Sequence, residues 1–237
     1  MRLVFFTGAG ISQESGLQTF RDADGLWEGY AVNEVCSADA WEKAPERVLA
    51  FYNERRQAVR QALPNPAHRA IAALENSQHQ VTVVTQNIDD LHERAGSQKV
   101  LHLHGEILKS RSVLDDAALY DCPDNLQLGD MGPVGGQLRP YVVFFGEAIY
   151  NYAAARSFCK RADILVVVGT SLAVHPAAYL VQGSNARTVY VVDPVQPSAA
   201  RLGWEGRRII PIRKTAGQGV PEVIAKIQSD HTCYFQG

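Results

Sequence analysis

The sequence predicts an α/β fold: a doubly wound, Rossmann-like parallel sheet with a smaller lobe formed by two insertions. Three observations support this prediction: short apolar runs, helical patterns between them, and two long stretches that interrupt the alternation. Most runs are continuously apolar rather than alternating, which is typical of strands covered on both faces. The predicted strands are residues 3–6, 81–85, 100–104, 141–145, 164–168, 188–192 and 208–212.

Helical patterns separate many of these strands and give the strand–helix–strand rhythm of a parallel sheet. The first insertion, residues 20–63, also reads as helical, with Ser37 as an N-cap and Pro45 in the first turn of a second helix that ends near Leu63. The second insertion, residues 106–139, is rich in Gly, Asp and Pro and poor in strand signals. The helices predicted between strands are residues 66–75, 148–160 and 220–228.

These boundaries divide the chain into two parts, a Rossmann-like domain and a small domain. Ligands of open α/β sheets bind beyond the carboxyl ends of the strands, so we expect the small domain to form a cleft there. The last residues look like the remnant of a protease-cleavage tag, and we expect no function from them. The expected ranges are 1–19, 64–105 and 140–230 for the Rossmann-like domain, 20–63 and 106–139 for the small domain, and 231–237 for the remnant.

Composition narrows the range of partners. The chain has 237 residues, of which 46% are hydrophobic and 20% charged, as in ordinary soluble globular proteins. A formal net charge of −2 and a pI of about 6.4 give no electrostatic reason to expect nucleic acid or an anionic membrane as a partner. No apolar run is long enough to span a bilayer, so we expect a cytoplasmic protein, and we expect a monomer. The four cysteines never form C-x-x-C, which favours reduced thiols.

The stretch TGAGISQESG, residues 7–16, follows the first predicted strand and is similar to a dinucleotide-binding glycine loop. Gly8 and Gly10 fit the pattern G-x-G-x-x-G, but Gln13 stands at the third glycine position. Small residues let backbone N–H groups approach a pyrophosphate, and Gly169-Thr170-Ser171 offers a second loop of this kind. A plain strand-to-helix turn explains the first loop about as well.

Two further strand ends carry polar side chains. Gln86, Asn87 and Asp89 suit ribose hydroxyls and a carboxamide better than a metal, although Asn87 and Asp89 could also simply cap the following helix. His102 and His104 lie on the same side of their strand because side chains alternate. No third ligand follows at a metal-binding spacing, so we expect no metal there. His104 is placed at the cleft edge, where a near-neutral imidazole can act as a general base.

Six short motifs occur in order along the chain: Gly8-Ala9-Gly10-Ile11-Ser12, Thr19-Phe20-Arg21, Thr85-Gln86-Asn87-Ile88-Asp89, His104-Gly105, Phe145-Gly146-Glu147 and Gly169-Thr170-Ser171. Together they resemble the sirtuin family of NAD-dependent protein lysine deacylases, over about residues 1–228. The resemblance implies NAD as the cofactor and acylated-lysine proteins or peptides as substrates. In this family a variant glycine loop binds the NAD pyrophosphate, so Gln13 is no defect.

The resemblance also implies a reaction and its residues. The acyl oxygen of a modified lysine attacks the ribose C1′ as nicotinamide leaves, and His104 is the general base that activates a ribose hydroxyl to take over the acyl group. The products are nicotinamide, free lysine and O-acyl-ADP-ribose. Asn87 and Asp89 are implied to lie near the nicotinamide, within a set around NAD that comprises Gly8, Ala9, Gly10, Ser12, Phe20, Arg21, Gln86, Asn87, Asp89, Gly169, Thr170, Ser171 and Ala216. The residues implied to flank an extended substrate peptide are Phe145, Gly146, Glu147, Leu172 and Val174.

One predicted helix bears on the acyl group. Val48, Tyr52, Arg55 and Val59 follow a helical spacing, which places Tyr52 and Arg55 on an otherwise apolar face. An internal acidic partner or a snorkelling side chain would explain this arginine. Tyr-x-x-Arg at this position, with a small Ala23, resembles class III sirtuins, in which the pair binds the carboxylate of succinyl- or malonyl-lysine. We therefore expect a preference for acidic acyl groups, with acetyl also accepted.

Two departures from the family pattern concern zinc and the adenosine ribose. Most sirtuins carry four zinc-binding cysteines after the catalytic histidine, whereas this insertion holds only Cys122, with Ser112 where a first cysteine is expected. One thiol cannot make a four-ligand site, so we predict no zinc. Val191 replaces the usual asparagine two residues before Asp193, which predicts modestly weaker NAD binding. The alternative functions are mono-ADP-ribosyl transfer and a non-catalytic NAD-binding sensor.

Overall fold

The computed structural model describes residues 1–18, 26–27, 30–122, 124–197 and 206–234. The strands in these ranges are β1 (Arg2–Thr7), β2 (Leu26–Trp27), β3 (Tyr30–Ala31), β4 (Gln80–Thr85), β5 (Val100–His102), β6 (Gly105–Ser112), β7 (Asp115–Asp121), β8 (Leu138–Val142), β9 (Ile164–Val168), β10 (Thr188–Val192) and β11 (Arg208–Ile212). The α-helices are α1 (Val32–Val35), α2 (Ala38–Lys43), α3 (Pro45–Gln61), α4 (Pro66–Leu74), α5 (Leu91–Ala95), α6 (Tyr152–Arg161), α7 (Ala178–Gln182) and α8 (Ala216–Tyr234).

The larger sheet confirms the predicted doubly wound fold. Its six strands lie in the order β11-β10-β9-β1-β4-β5, and every pair is parallel. Leu3 and Phe5 face α4 and α8 on one side, whereas Val4 and Phe6 face α6 and α7 on the other. Both faces are therefore buried, which explains the continuous apolar runs. The strand order reverses between β1 and β9, and such a reversal is where α/β proteins bind ligands.

The first insertion is mostly helical, as predicted. The Ser37 hydroxyl accepts a hydrogen bond from the N–H of Ala40 at 3.1 Å and so caps α2, and Pro45 opens α3. The prediction missed the two-residue strands β2 and β3, which pair antiparallel to each other before α1. Strands this short have too few residues to show an alternating pattern.

The second insertion corrects two predictions. Its sequence is poor in strand signals, but β6, β7 and β8 form an antiparallel sheet in the order β7-β6-β8. The strand predicted at residues 141–145 of the parallel sheet is in fact β8 of this small sheet. The strand predicted at residues 100–104 ends at His102, because the chain leaves the parallel sheet at Gly105, whose φ is +85°. A side chain there would collide with the carbonyl of Tyr141.

The small sheet was hard to predict because its edge strand β7 is polar and faces solvent. It contains Asp115, Asp116 and Asp121, and none of its residues is buried. Asp is disfavoured in strands, so the local pattern gave no strand signal. Among the described residues, none of the helices combines the length and hydrophobicity that a membrane span requires.

Candidate active site

The loops that follow β1 and β9 cross each other at the point where the strand order reverses. The N–H of Gly8 donates to the carbonyl of Val168 at 3.0 Å, and that of Gly10 donates to the carbonyl of Gly169 at 2.9 Å. A Cβ on Gly10 would lie 2.6 Å from the Cα of Gly169, which itself has a φ of +60°. These glycines are therefore required for the close packing of one loop on the other. The plain-turn interpretation does not account for this contact.

A cavity of about 650 Å³ opens beside the crossed loops, at the carboxyl ends of the strands. Its walls come from both the parallel sheet and the small lobe. Phe20 and Arg21, also predicted to contact NAD, lie outside the described residues. The other predicted NAD-binding residues all line this cavity: Gly8, Ala9, Gly10, Ser12, Gln86, Asn87, Asp89, Gly169, Thr170, Ser171 and Ala216.

The loop after β4 joins the two glycine loops through side-chain hydrogen bonds. Asn87 Nδ2 donates to Ser12 Oγ at 3.0 Å, and Ser12 Oγ donates to Asp89 Oδ2 at 2.9 Å. Gln86 Nε2 donates to Thr170 Oγ1 at 3.0 Å. Asp89 Oδ1 also accepts from the N–H of Leu91, the first residue of α5, whereas the N-cap position itself is held by Asp90 rather than by Asn87 or Asp89. Burial raises the pKa of Asp89, although its hydrogen bonds oppose the shift.

His104 lies in the cavity wall with one ring nitrogen fixed. Its Nδ1 is 2.9 Å from the carbonyl oxygen of Gln86. A carbonyl can only accept, so Nδ1 carries a proton and Nε2 is the basic nitrogen of the neutral ring. Burial lowers the pKa of His104, and the bond to Gln86 only partly offsets this. The ring is therefore neutral at neutral pH, as a general base must be.

The predicted stripe of α3 is buried along its whole length, at Val48, Tyr52, Arg55 and Val59. The Tyr52 ring stacks on Phe144, with 5.5 Å between the centroids, and Arg55 Cζ lies 4.4 Å from the centre of the Phe51 ring. Arg55 also approaches Glu54 Oε2 at 3.5 Å, which is the internal acidic partner that the sequence left open. Burial lowers the pKa of Arg55 to about 10, so the guanidinium stays charged at neutral pH. Tyr52 and Arg55 both line the cavity.

The predicted peptide-contacting residues divide into two groups. Phe145, Gly146, Glu147 and Val174 line the cavity. Leu172 does not, because its side chain is 1% exposed and packs in the core on the α6 and α7 side of the parallel sheet. Any contact between Leu172 and a peptide must therefore use its backbone. Ala23 lies outside the described residues.

Two cavity residues were not singled out from the sequence. The Glu14 carboxylate accepts hydrogen bonds from the N–H of Gly217 at 2.6 Å and from Thr215 Oγ1 at 3.1 Å, which ties the glycine loop to the start of α8. The position of Glu14 within the glycine-loop motif is the sequence feature that could have identified it. The Cys36 thiol shares a hydrogen bond with Tyr52, a contact that no local pattern reveals.

Comparison with known proteins places these features in one family. The Sir2 family model matches residues 8–176. The chain is 50% identical over 198 residues to the NAD-dependent protein deacylase of Helicobacter pylori, covering 83% of this chain and 86% of that protein. It is 42% identical over 231 residues to the NAD-dependent protein deacylase of Bacteroides thetaiotaomicron, with coverages of 93% and 95%.

Comparison with solved structures gives the same family. A Sir2 homologue crystallised as an NAD complex superposes with a TM-score of 0.82 at 34% identity, covering 96% of this chain and 90% of that one. A mutant Sir2 homologue in complex with ADP-ribose gives a TM-score of 0.84 at the same identity, with coverages of 97% and 93%. The match of fold, cavity and sequence shows that the chain belongs to the Sir2 family and is an NAD-dependent protein deacylase.

Proposed function

We propose that this deacylase removes succinyl and malonyl groups from protein lysines, and acetyl groups as well, giving nicotinamide, free lysine and O-acyl-ADP-ribose. One observation carries the acyl preference: Tyr52 and Arg55 of α3 both line the cavity that His104 also lines. An acyl group that ends in a carboxylate supplies the negative charge that a buried guanidinium favours. A lysine-linked acetyl group offers no such charge.

The protonation states of the pair support this assignment. Arg55 keeps its charge at neutral pH because its pKa is still about 10. Burial raises the pKa of Tyr52 well above its usual range, so its hydroxyl stays protonated and can donate. A guanidinium and a hydroxyl three residues apart on one helix face match the two oxygens of a carboxylate.

The remaining cavity residues fit NAD. The crossed glycine loops expose small residues and backbone to the cavity, and Ser12, Asn87 and Asp89 offer amide, hydroxyl and carboxylate groups for a carboxamide. NAD supplies the ribose that accepts the acyl group and the nicotinamide that leaves. We propose that His104 takes up a proton at Nε2, while the bond from Nδ1 to the Gln86 carbonyl fixes the ring. The cavity walls from the two sheets exclude water from the reacting groups.

The test is Arg55→Met, assayed with NAD and matched succinyl-lysine and acetyl-lysine peptides. We expect kcat/KM for desuccinylation to fall by roughly two to four orders of magnitude, because breaking a buried charge pair by removing one partner costs about 3–5 kcal/mol. Deacetylation should persist, since the acetyl group makes no charged contact. Free lysine and nicotinamide are both measured.

Arg60→Met is the matched control, because Arg60 is an exposed cation on the same helix. It should leave both activities unchanged. Equal losses of desuccinylation and deacetylation in Arg55→Met would contradict the proposed role in acyl selection. Nicotinamide release without free lysine in the unaltered protein would favour ADP-ribosyl transfer, and no nicotinamide release with any acyl peptide would favour the sensor alternative.

A further inference from the structure

Two histidines at the end of β5 bind consecutive carbonyls of the loop after β4. His104 Nδ1 lies 2.9 Å from the carbonyl oxygen of Gln86, and His102 Nδ1 lies 2.9 Å from that of Asn87. Both rings point toward the loop after β4, although only His102 lies within β5. The peptide units that orient Asn87 and Asp89 are therefore held by two imidazoles rather than one.

Of the two rings, that of His102 has a charged partner among the described residues, and that of His104 has none there. His102 Nε2 lies 2.8 Å from Glu93 Oε1, and Glu93 belongs to α5, the helix that begins directly after the loop. A carbonyl and a carboxylate both accept, so both nitrogens of His102 donate and the ring is an imidazolium. Burial is the largest single influence and lowers the pKa of His102, but the hydrogen bond and charge of Glu93, the bond to the Asn87 carbonyl and the charge of Glu106 together outweigh it, so the net pKa is raised. In the part of the chain that the structure describes, no charged group is bonded to the His104 ring, and burial lowers its pKa and keeps it neutral at neutral pH.

The imidazolium also has an electrostatic effect on the loop. Its positive charge lowers the pKa of Asp89, against the effect of burial. The charged and titratable groups that act on His102 or feel its charge are Glu93 and His92 on α5, Asp89 on the loop and Glu106 on β6. Among the described residues, Glu93 is the only one of these groups that forms a hydrogen bond with the His102 ring.

We propose that His102 and Glu93 form a charged positioning pair that holds Asn87 and Asp89 in the arrangement that receives nicotinamide. The pair does not touch the reacting atoms; it acts through the Asn87 carbonyl and through its charge near Asp89. This inference rests on the proposed assignment of Asn87 and Asp89 to the nicotinamide end of NAD.

The test is Glu93→Gln, which keeps the size of the side chain and removes its charge. We expect the KM for NAD and the inhibition constant of nicotinamide each to rise about tenfold, because hydrogen bonds to charged groups contribute more than neutral ones. The pH dependence of the KM for NAD distinguishes loss of the Glu93 charge from a change in the shape of the side chain. In the unaltered protein the KM for NAD rises only as pH exceeds the raised pKa of His102. In Glu93→Gln that rise moves to lower pH.

Glu75→Gln is the matched control. The Glu75 carboxylate accepts a hydrogen bond from the N–H of Gln98 at 2.9 Å, a bond of similar length at the other end of β5. It should leave the KM for NAD, the nicotinamide inhibition and the pH profile unchanged. The ratio of desuccinylation to deacetylation should be the same in both variants, because neither reaches Arg55.

The proposal is overturned if Glu93→Gln keeps the unaltered KM for NAD and pH profile. It is equally overturned if the variant only lowers the melting temperature while activity per folded molecule stays constant. Failure of the proposed function gives a different result, because the unaltered protein itself would then release no nicotinamide with any acyl-lysine peptide.

Discussion

The cavity is built from two regions of opposite character, the edge of the parallel sheet and the small lobe. At the sheet edge the backbone shapes the cavity, because the crossed loops place Gly10 directly against Gly169. On the side of the lobe, side chains shape it, because Tyr52 and Arg55 of α3 line the cavity. The difference teaches that the part proposed to bind the dinucleotide tolerates little change, whereas the part proposed to bind the acyl group can be altered one side chain at a time.

The strongest test of the sheet edge is His104→Ala. A positioned general base contributes about 10²–10⁴-fold to the rate, so we expect nicotinamide-coupled deacylation to fall by that factor. NAD binding, measured by calorimetry, should be nearly unchanged because the loops stay in place. In the unaltered protein the rate should decline only at a pH below the ordinary pKa of histidine, since burial lowers the pKa of His104 and keeps the base form present. A variant with full turnover would remove His104 from the reaction.

The next test addresses the tie between the lobe and the cavity. Glu147 accepts hydrogen bonds from Arg139 at 2.6 and 3.1 Å and from the N–H of Phe144 at 2.8 Å. Glu147→Ala leaves the buried guanidinium of Arg139 without its carboxylate, and we expect a loss of about 3–5 kcal/mol in the free energy of unfolding, measured in urea. Glu106→Ala, which breaks the more exposed pair with Lys109, should cost about 0–1 kcal/mol. Similar costs for the two variants would mean that burial does not distinguish the pairs.

The smallest effects come from adding one methyl group in each region. Gly169 and Gly129 both have positive φ, +60° and +95°, so alanine costs about 1–2 kcal/mol at either site. Only Gly169 is also crowded: its Cβ would lie 2.7 Å from Gly10 Cα, whereas nothing lies within 4 Å of one on Gly129. We therefore expect Gly169→Ala to lose about 1–3 kcal/mol more stability and to weaken NAD binding. If Gly169→Ala and Gly129→Ala lose the same free energy of unfolding in urea, the crossed loops can move apart to accommodate a methyl group at little cost.

The parallel sheet could be predicted because both its faces are covered by the protein itself. Runs such as residues 164–168 then read as strands without knowledge of their neighbours. Ser37 and Pro45 marked helix starts for equally local reasons. β8 could not be assigned to the right sheet, because its partner β6 is chosen by the turn of the chain at Gly105.

The candidate site also divides into residues that could be predicted from the sequence and residues that could not. Positions at strand ends, such as Gln86 and His104, could be predicted because parallel strands bring their carboxyl ends to one edge. The sequence could not show that the Leu172 side chain turns into the core, nor that the Cys36 thiol contacts Tyr52. Val191 is also buried, with its side chain in the core beside β9, and weaker NAD binding from this residue stays a prediction.

The central place of β1 has a consequence for biosynthesis. Leu3 pairs in register with Val81 of β4 on one side and with Ile164 of β9 on the other. The strand β1 is therefore synthesised long before β9, one of its two neighbours. At bacterial or eukaryotic elongation rates this interval is on the order of ten seconds. During it, one edge of β1 has no strand beside it, and the pocket for the dinucleotide cannot close until the ribosome has delivered β9.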